Sequence, residues 1–264
     1  DTVGTLSTDS VTFVAGSTFT VDLVLPTVGN FDTLDVTGSV DLSNVTLDLQ
    51  AIAGFGAAAG DCQIITLINN DGADAVTGTF NGLPQLSDIT IDGVNFRLFY
   101  TAGDGNDVAL IRTDPPAIVY VDDSWVGTAF GADPDGAGPA DCFGVRSFAV
   151  IQDGVTAVIA GGFVDVAAGS YPESVTVPKD VTIDGNTGTA TDIVVTPVSG
   201  PAFNITGGTT VLIRDLSATN SPDSAGINST VAGIDLDLIN IAATGNSTHG
   251  VTVAGSNSLD LTDI

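Results

Sequence analysis

Apolar and polar residues alternate along the first half of the chain. Between Phe19 and Leu23, for example, apolar side chains at every second position are separated by Thr or Asp. A strand with one buried face needs this period of two, because successive side chains point to opposite faces. Gly16, Gly29 and Gly38 supply turns between such stretches. The alternation predicts strands at residues 11–14, 19–23, 34–36, 40–42, 45–49, 63–68, 89–91, 95–100 and 108–112.

A pair of prolines interrupts this pattern. Proline cannot donate to a strand ladder and stiffens the chain, so Pro115 and Pro116 predict a boundary between two modules. We expect the first module, residues 1–113, to be a β-strand repeat module. The second, residues 114–264, begins with a Gly-, Asp- and Pro-rich stretch at 122–146, which predicts a long ordered loop.

One helix is predicted, at residues 147–160. Phe148, Ile151 and Val155 lie on one face at helical spacing, and a glycine pair at 161–162 ends the segment. No other stretch of the sequence favours a helix as clearly.

A repeat of 23–25 residues follows in the C-terminal part. Phe203, Ile227 and Val251 are 24 residues apart, and a second series, Leu216, Ile241 and Ile264, has spacings of 25 and 23. Each repeat contains short strands that bury too little surface to be stable alone. Stacking the repeats closes a continuous core, which predicts a parallel β-helix. Chance similarity in a Thr-, Val- and Gly-rich chain is the alternative.

Residues 147–185 carry a resemblance to a known class of fold. The predicted helix, the strand at 163–166 and a turn at Gly169-Ser170-Tyr171 resemble the start of right-handed parallel β-helix domains of the pectin-lyase-like class. In that class a short amphipathic helix caps the solenoid. The resemblance extends with the repeat over about 147–264 and implies a right-handed solenoid there.

The first module is similar to the β-strand repeats of large bacterial surface and autotransporter-like proteins. Over about residues 10–113, the segments 31–38, 67–72, 78–84 and 100–108 carry this resemblance. It implies a secreted protein of several modules. The fold class we expect is therefore all-β: a β-solenoid (right-handed parallel β-helix) with a preceding β-rich module and one short capping helix.

The charge of the chain is strongly negative. It has 32 acidic residues against 5 basic ones, for a net charge of -27, and Glu173 is the only glutamate. Such a chain repels phosphate groups, so we expect no nucleic-acid partner. No run of 18 apolar residues occurs, and we expect no membrane insertion. Aspartate without glutamate favours turns, and it also supplies the oxygen ligands that Ca²⁺ prefers.

The predicted loop contains the densest cluster of acids. In Asp133-Pro134-Asp135-Gly136, two carboxylates and a turn carbonyl can face one point, which suits Ca²⁺. The terminal Glu of a complete calcium loop is absent. The alternative is a solvated loop in which each Asp bonds its own turn. The candidate ligands here are Asp122, Asp123, Asp133, Asp135 and Asp141.

A second candidate calcium site lies at residues 103–108. This segment resembles one copy of the calcium-binding nonapeptide of repeats-in-toxin proteins, with Ala102 in place of the first Gly. The resemblance implies Asp104, Asn106 and Asp107 as ligands. Such sites are shared between stacked copies, and this chain has one copy, so a hairpin turn is the alternative.

Two cysteines, Cys62 and Cys142, each follow an Asp. Two are too few for a disulfide framework and lack metal-site spacing. In an exported protein one bridge would tie the first half of the chain to the second. Two buried thiols are the alternative.

Catalytic residues are hard to find. His249, the only histidine, has no Ser or Cys partner in the sequence and is predicted to lie on the surface. Carboxylates on neighbouring turns could serve acid–base hydrolysis, with Lys179 and Arg214 as the nearby cations. These carboxylates are Asp184, Asp215, Asp235 and Asp237.

The function we expect is a structural or adhesive component of a bacterial extracellular assembly, such as a surface layer, fibre or stalk. The alternation is still running at residues 259–264, which favours a segment of a longer chain. Expected partners are further copies, neighbouring modules or cell-surface glycans, and the expected location is the secreted or cell-surface space. The alternative is a polysaccharide lyase or hydrolase of the pectin-lyase-like class.

Overall fold

The prediction of an all-β solenoid is confirmed. A computed structural model describes residues 2–71, 74–255 and 258–264. The chain is only 7% helical and forms a β-solenoid of about 9 turns. It divides into two compact units, an N-terminal unit (1–114) and a C-terminal unit (115–264). Gly72, at the end of the segment 67–72 used for the first-module resemblance, lies outside the described residues.

The N-terminal unit consists of short strands and one turn of helix. Its strands are β1 (Thr5–Thr8), β2 (Val11–Thr12), β3 (Thr18–Leu23), β4 (Thr33–Val36), β5 (Val40–Asp41), β6 (Thr46–Ala51), β7 (Ile64–Asn70), β8 (Val76–Thr77), β9 (Ser87–Ile91), β10 (Val94–Ala102) and β11 (Asp107–Arg112). Helix α1 (Phe55–Ala58), which the sequence pattern does not predict, follows β6.

These strands stack in parallel, one turn on the next. β1, β4 and β7 pair in order, as do β2, β5 and β8, while β3 pairs with β6. Leu6, Leu34 and Ile68 therefore occupy equivalent positions of three successive turns. The first module is thus itself a parallel β-helix, a relation between strands that alternation alone does not reveal.

The third turn of the N-terminal unit ends differently from the first two. After β8 the chain crosses to β9, and β9, β10 and β11 form an antiparallel meander whose last strand pairs with β7. Asp92 and Gly93 have φ of 51° and 77°, as a two-residue hairpin turn between β9 and β10 requires.

The C-terminal unit has the same kind of architecture. Its strands are β12 (Ile118–Val121), β13 (Ser147–Phe148), β14 (Gly162–Val166), β15 (Gly169–Tyr171), β16 (Val175–Val177), β17 (Val181–Gly185), β18 (Ile193–Val195), β19 (Phe203–Ile205), β20 (Thr210–Ala218), β21 (Ile227–Ser229), β22 (Asp235–Ala242), β23 (Val251–Val253) and β24 (Ser258–Thr262). It also contains helix α2 (Ile151–Ala157) and two 3₁₀ helices, Asp123–Trp125 and Ala190–Asp192.

The 24-residue repeat corresponds to one turn of this solenoid. Phe203 pairs with Ile227, which pairs with Val251. All strand pairs of this unit are parallel among the described residues, and β12, β14, β17, β20, β22 and β24 form the longest stack. Val164 and Ile183 lie in one inward column of this stack and are fully buried. The repeat therefore builds one continuous core.

Strands β20 and β22 each bend at an equivalent residue. Asp215 and Asn240 have φ of 57° and 50°, and the Asn240 Nδ2 donates to Asp215 Oδ1 at 2.6 Å. Gly185 lies against this corner, where an added Cβ would come within 2.0 Å of the Asp215 carbonyl oxygen. The corner therefore requires glycine on the turn below it.

Two predictions about the start of this unit are wrong in detail. The predicted helix at 147–160 is confined to Ile151–Ala157, because Ser147–Phe148 pairs with β12 as a strand. The predicted turn Gly169-Ser170-Tyr171 is strand β15, which pairs with β18. In both places pairing with a neighbouring turn outweighs the local preference of the sequence.

Helix α2 packs on the core of the C-terminal unit and is capped from another element. Ile151 and Val155 are fully buried in that core. The residue before the helix, Val150, offers no capping side chain. Glu173 supplies the cap, because its two carboxylate oxygens accept the N–H groups of Ile151 at 2.7 Å and Gln152 at 2.8 Å. Burial raises the pKa of Glu173, although these two N–H groups act to lower it.

Replacing Glu173 with Ala leaves two helical N–H groups without an acceptor. We expect the free energy of unfolding to fall by about 1–2 kcal/mol, as for other lost helix caps. Asp153→Ala is the matched control, because Asp153 is an exposed acid in the first turn of the same helix. It should cost about 0.5 kcal/mol or less. Equal losses in urea unfolding of the two variants would contradict the capping role.

Candidate functional site

The segment that resembles a calcium nonapeptide forms the hairpin turn between β10 and β11. Gly103 and Gly105 have φ of 58° and 116°, which a tight turn accommodates. Asp107 Oδ1 accepts the N–H of Asn70 at 2.8 Å, and Asn106 Nδ2 donates to the Asp74 carbonyl at 3.0 Å. Burial raises the pKa of Asp107, and the nearby charge of Asp104 adds to this. The segment thus joins the meander to β7.

The acids at the start of the loop 122–146 bond backbone groups. Asp122 Oδ1 accepts the Ser124 N–H at 2.9 Å and begins the first 3₁₀ helix. Asp123 Oδ2 accepts the N–H of Ser170 at 2.9 Å, in a strand far along the sequence. Both carboxylates therefore fix the backbone of the loop.

The remaining acids of that loop are held in the same way. Asp133 Oδ1 accepts the Gly136 N–H at 2.7 Å, and the two oxygens of Asp135 accept those of Gly138 at 3.0 Å and Ala140 at 3.2 Å. Asp141 forms an ion pair with Arg146 at 3.2 Å. Each of these acids stabilises its own turn or a neighbouring arginine.

Calcium binding by these acids stays a prediction. In the described ranges, no three His, Cys, Asp or Glu side chains come together as a group that could hold a metal ion. The two predicted sets, one in the hairpin turn and one in the loop, each make the protein hydrogen bonds described above.

The structure reveals a shared role for four aspartates, of which the sequence had singled out only Asp123. Asp32, Asp180 and Asp223, together with Asp123, accept N–H groups from a different turn of the solenoid; we call these four the turn-linking aspartates. Asp32 accepts the Gly4 N–H at 2.8 Å and the Asp22 N–H at 2.9 Å. Their links cross between strands that are distant in sequence but adjacent in space.

Two of the turn-linking aspartates show which backbone groups these carboxylates bind. Asp180 Oδ1 accepts the N–H groups of Thr209 and Thr210, the latter at 3.0 Å, and Asp223 Oδ1 accepts that of Gly200 at 2.7 Å. Neighbouring strands lie about 4.8 Å apart, a gap that the short carboxylate of Asp spans with few rotors to immobilise. Asp32 and Asp180 each stand directly before a strand, a signal present in the sequence.

A column of polar side chains runs along β12, β14, β17 and β20. Tyr120, Asp165, Asp184 and Arg214 occupy equivalent positions of these stacked strands. Arg214 pairs with Asp184, whose side chain is only 12% exposed. Burial raises the pKa of Asp165, and the charge of Asp184 raises it further, while a hydrogen bond from Asn186 opposes both.

This polar column includes one of the four carboxylates considered for hydrolysis. Asp184 belongs to it, whereas Asp215 accepts a hydrogen bond from Asn240 at the corner, and Asp235 is exposed on β22 with Asp237 two residues further on. Asp165 was missed because the turn from β14 to β17 is shorter than the 24-residue repeat. Its Oδ1 and the Nε of Arg214 are buried without a hydrogen-bond partner in the described part of the chain.

His249 is exposed, as predicted, and its carbonyl accepts the N–H of Gly226 at 3.0 Å. Cys62 and Cys142 have φ of 59° and 58°. The bridge between them stays a prediction.

The fold defines this chain as a β-solenoid. No protein-family model, no curated protein and no solved structure matches it. The resemblances to autotransporter-like repeats and to pectin-lyase-like domains therefore stay predictions. Among the helices of the described ranges, none has the length and apolar character needed to cross a membrane.

The acid dependence of stability tests the turn-linking role of Asp180. The N–H groups of Thr209 and Thr210 lower the pKa of Asp180 below its usual 3.8. The Asp180 carboxylate therefore stabilises the fold above pH 3.8, the usual pKa of an aspartate. This contribution is lost as the pH falls through the lower pKa that Asp180 has in the folded chain. We expect Asp180→Asn to lose less stability than the unmodified chain between about pH 6 and about pH 3.

The matched control is Asp192→Asn, because Asp192 is exposed at the end of a 3₁₀ helix. Thermal unfolding at the two pH values gives the comparison. Parallel losses of stability in Asp180→Asn and the unmodified chain would show that the Asp180 contacts contribute nothing.

Proposed function

We propose that this chain is a structural or adhesive component of an extracellular bacterial assembly, such as a surface layer, fibre or stalk. The observation that carries the proposal is the use of polar side chains to bond one turn of the solenoid to another. The turn-linking aspartates do this with backbone N–H groups, and Asn228 does it with Asn204, Nδ2 to Oδ1 at 3.2 Å.

Such links suit a protein whose task is to be stiff. In a solenoid each turn contacts only its neighbours, so resistance to bending and unfolding depends on the bonds at each junction. Side-chain bonds added to the backbone ladder strengthen every junction in which they occur. A binding protein with one local site has no need to repeat them along its length.

The charge of -27 bears on how such a chain assembles. Like charges keep single copies apart and soluble, so association of copies requires cations that offset the repulsion. Ca²⁺ is the cation that carboxylates favour, and secreted proteins meet it at high concentration. We therefore propose calcium-assisted contact between copies or with neighbouring modules, with cell-surface glycans as further partners and the cell surface as the location.

A second candidate function, polysaccharide hydrolysis or lysis, is favoured by the polar column of the C-terminal unit. Asp165 and Asp184 lie on adjacent strands, and burial raises the pKa of Asp165. A pair of neighbouring carboxyl groups is the usual arrangement for acid–base cleavage of a glycosidic bond. Arg214 beside them offers a cation for an acidic sugar.

One experiment separates these two functions. The chain is incubated with acidic and neutral polysaccharides while new reducing ends and ultraviolet-absorbing products are measured, and the same protein is examined by sedimentation and electron microscopy with Ca²⁺ or with chelator. We expect no cleavage, and calcium-dependent assemblies that the chelator disperses. Cleavage by the unmodified chain that Asp165→Asn abolishes would replace the structural proposal with the enzymatic one. A chain that stays single with Ca²⁺ would also contradict the structural proposal.

A further inference from the structure

The N-terminal unit has a groove of about 440 Å³, and most of the residues that line it are apolar. One wall comes from β6 and the other from β9 and the segment before it. The apolar residues that line it are Leu47, Leu49, Ala51, Leu83, Ile89 and Ile91. These side chains pack against the buried core of the unit, so the groove opens directly onto that core.

The groove lies where the third turn lacks a strand. β3 and β6 are the third strands of the first two turns. In the third turn, β7 and β8 stack on β4 and β5, yet across the described residues no strand pairs with the other edge of β6. The chain follows β6 only as far as Asn81, whose N–H donates to the Val45 carbonyl at 2.7 Å.

A buried tyrosine holds the segment after β8 away from the place where a third strand would pair with β6. The hydroxyl group of Tyr100 accepts the N–H of Phe80 at 3.0 Å and donates to the Leu83 carbonyl at 2.7 Å. Burial raises the pKa of Tyr100 to about 12, so the phenol keeps the proton that it donates. The segment that would have formed the third strand is thereby fixed in another path.

The backbone of β6 presents unused hydrogen-bonding groups to the groove. Thr46 donates its N–H to the carbonyl of Ser17, directly before β3, at 2.9 Å, and Ile52 donates its N–H to the carbonyl of Leu23, the last residue of β3, at 3.0 Å. In a strand between two neighbours, alternate residues bond to opposite sides. The bond from Asn81 to Val45 shows that the odd-numbered residues face the groove. The N–H and C=O groups of Leu47, Leu49 and Ala51 therefore face the position of an absent strand.

The side chains define what an added strand must carry. In the register of β3 and β6, Leu49 stacks on Val21 and Ala51 stacks on Leu23. The two residues of β3 are fully buried, whereas the two residues of β6 are partly exposed. An added strand with apolar residues at every second position would continue these columns and cover them. Each residue so buried gains stability in proportion to the apolar area that it removes from water.

The charges around the groove select the intervening residues. Asp48 lies on the outward side of β6, where the polar residues of an added strand would stand beside it, and Asp92, in the turn after β9, also lines the groove. With a net charge of -27 over the whole chain, a second copy or any acidic strand is repelled. Lysine or arginine at the outward positions meets both carboxylates.

We propose that this groove binds an extended strand of another polypeptide, apolar at every second residue and basic between, by pairing with the free edge of β6. The unpaired stretch Leu47–Ala51 fits a core of about five residues. This interaction goes beyond the structural role proposed above and stands without it.

The probe is a fluorescent peptide of alternating Val and Lys, measured by fluorescence anisotropy with the complete chain. We expect binding, and no binding of an alternating Val and Asp peptide. A peptide of the same composition with its valines and lysines in separate blocks should bind at least tenfold more weakly. Equal binding of the block peptide would show simple charge attraction and overturn the proposal, as would no binding of the alternating one.

Two methylated peptides test the pairing without altering the protein. One carries N-methyl groups on the valine nitrogens and the other on the lysine nitrogens, so only one of them loses the N–H groups that face β6. We expect one to bind at least tenfold more weakly than the other. Equal affinities would mean that no strand is added, and the proposal would fail.

Protein variants locate the site. Leu49→Asp should abolish binding, whereas Val28→Asp is the matched control, because Val28 is 94% exposed and does not line the groove. Circular dichroism checks that both variants are folded. If Leu49→Asp does not fold, the peptide comparisons still test the proposal, because they use the unmodified chain. Self-association of the unmodified chain that Leu49→Asp removes would identify a second copy as the occupant and overturn the basic partner.

Discussion

The parallel pairing of each turn with the next is the interaction on which the rest of this structure depends. Most strands are three to six residues long and bury one row of side chains, so none is stable by itself. Pairing in register places Val164 beneath Ile183, and Ile183 beneath Ile213, and closes these rows into a core. A slip of one residue would turn every such side chain outward, which makes the register itself the quantity that the sequence must specify.

The unusual composition follows from this need. An aspartate beside a strand reaches the backbone of a neighbouring turn and fixes its register, as Asp32 and Asp180 do. Glutamate is longer and loses more freedom when held. The single glutamate, Glu173, serves where the longer reach is needed, on the first N–H groups of α2. Asp123, one of the carboxylates that suggested calcium in the sequence, has a structural use of the same kind.

The sequence predicted those parts of the fold whose signal lies in neighbouring or evenly spaced residues. Alternation located most strands of the first module, although not β1 or β8. The equal spacing of Phe203, Ile227 and Val251 revealed stacked turns. The stacking of Leu6, Leu34 and Ile68 went unseen because the turns there have unequal lengths. Asp165 and the groove beside β6 depend on which turn lies next to which, and a single sequence does not show this.

Native-state amide hydrogen exchange of the intact chain tests the central claim most directly. Gly4, Gly200 and Thr210 lie outside or at the ends of strands, yet each donates to a turn-linking aspartate. We expect these amides to exchange at least tenfold more slowly than turn amides that lack such a bond, and each to lose this protection when its aspartate is replaced by Ala. Fast exchange at all three in the unmodified chain would contradict the account.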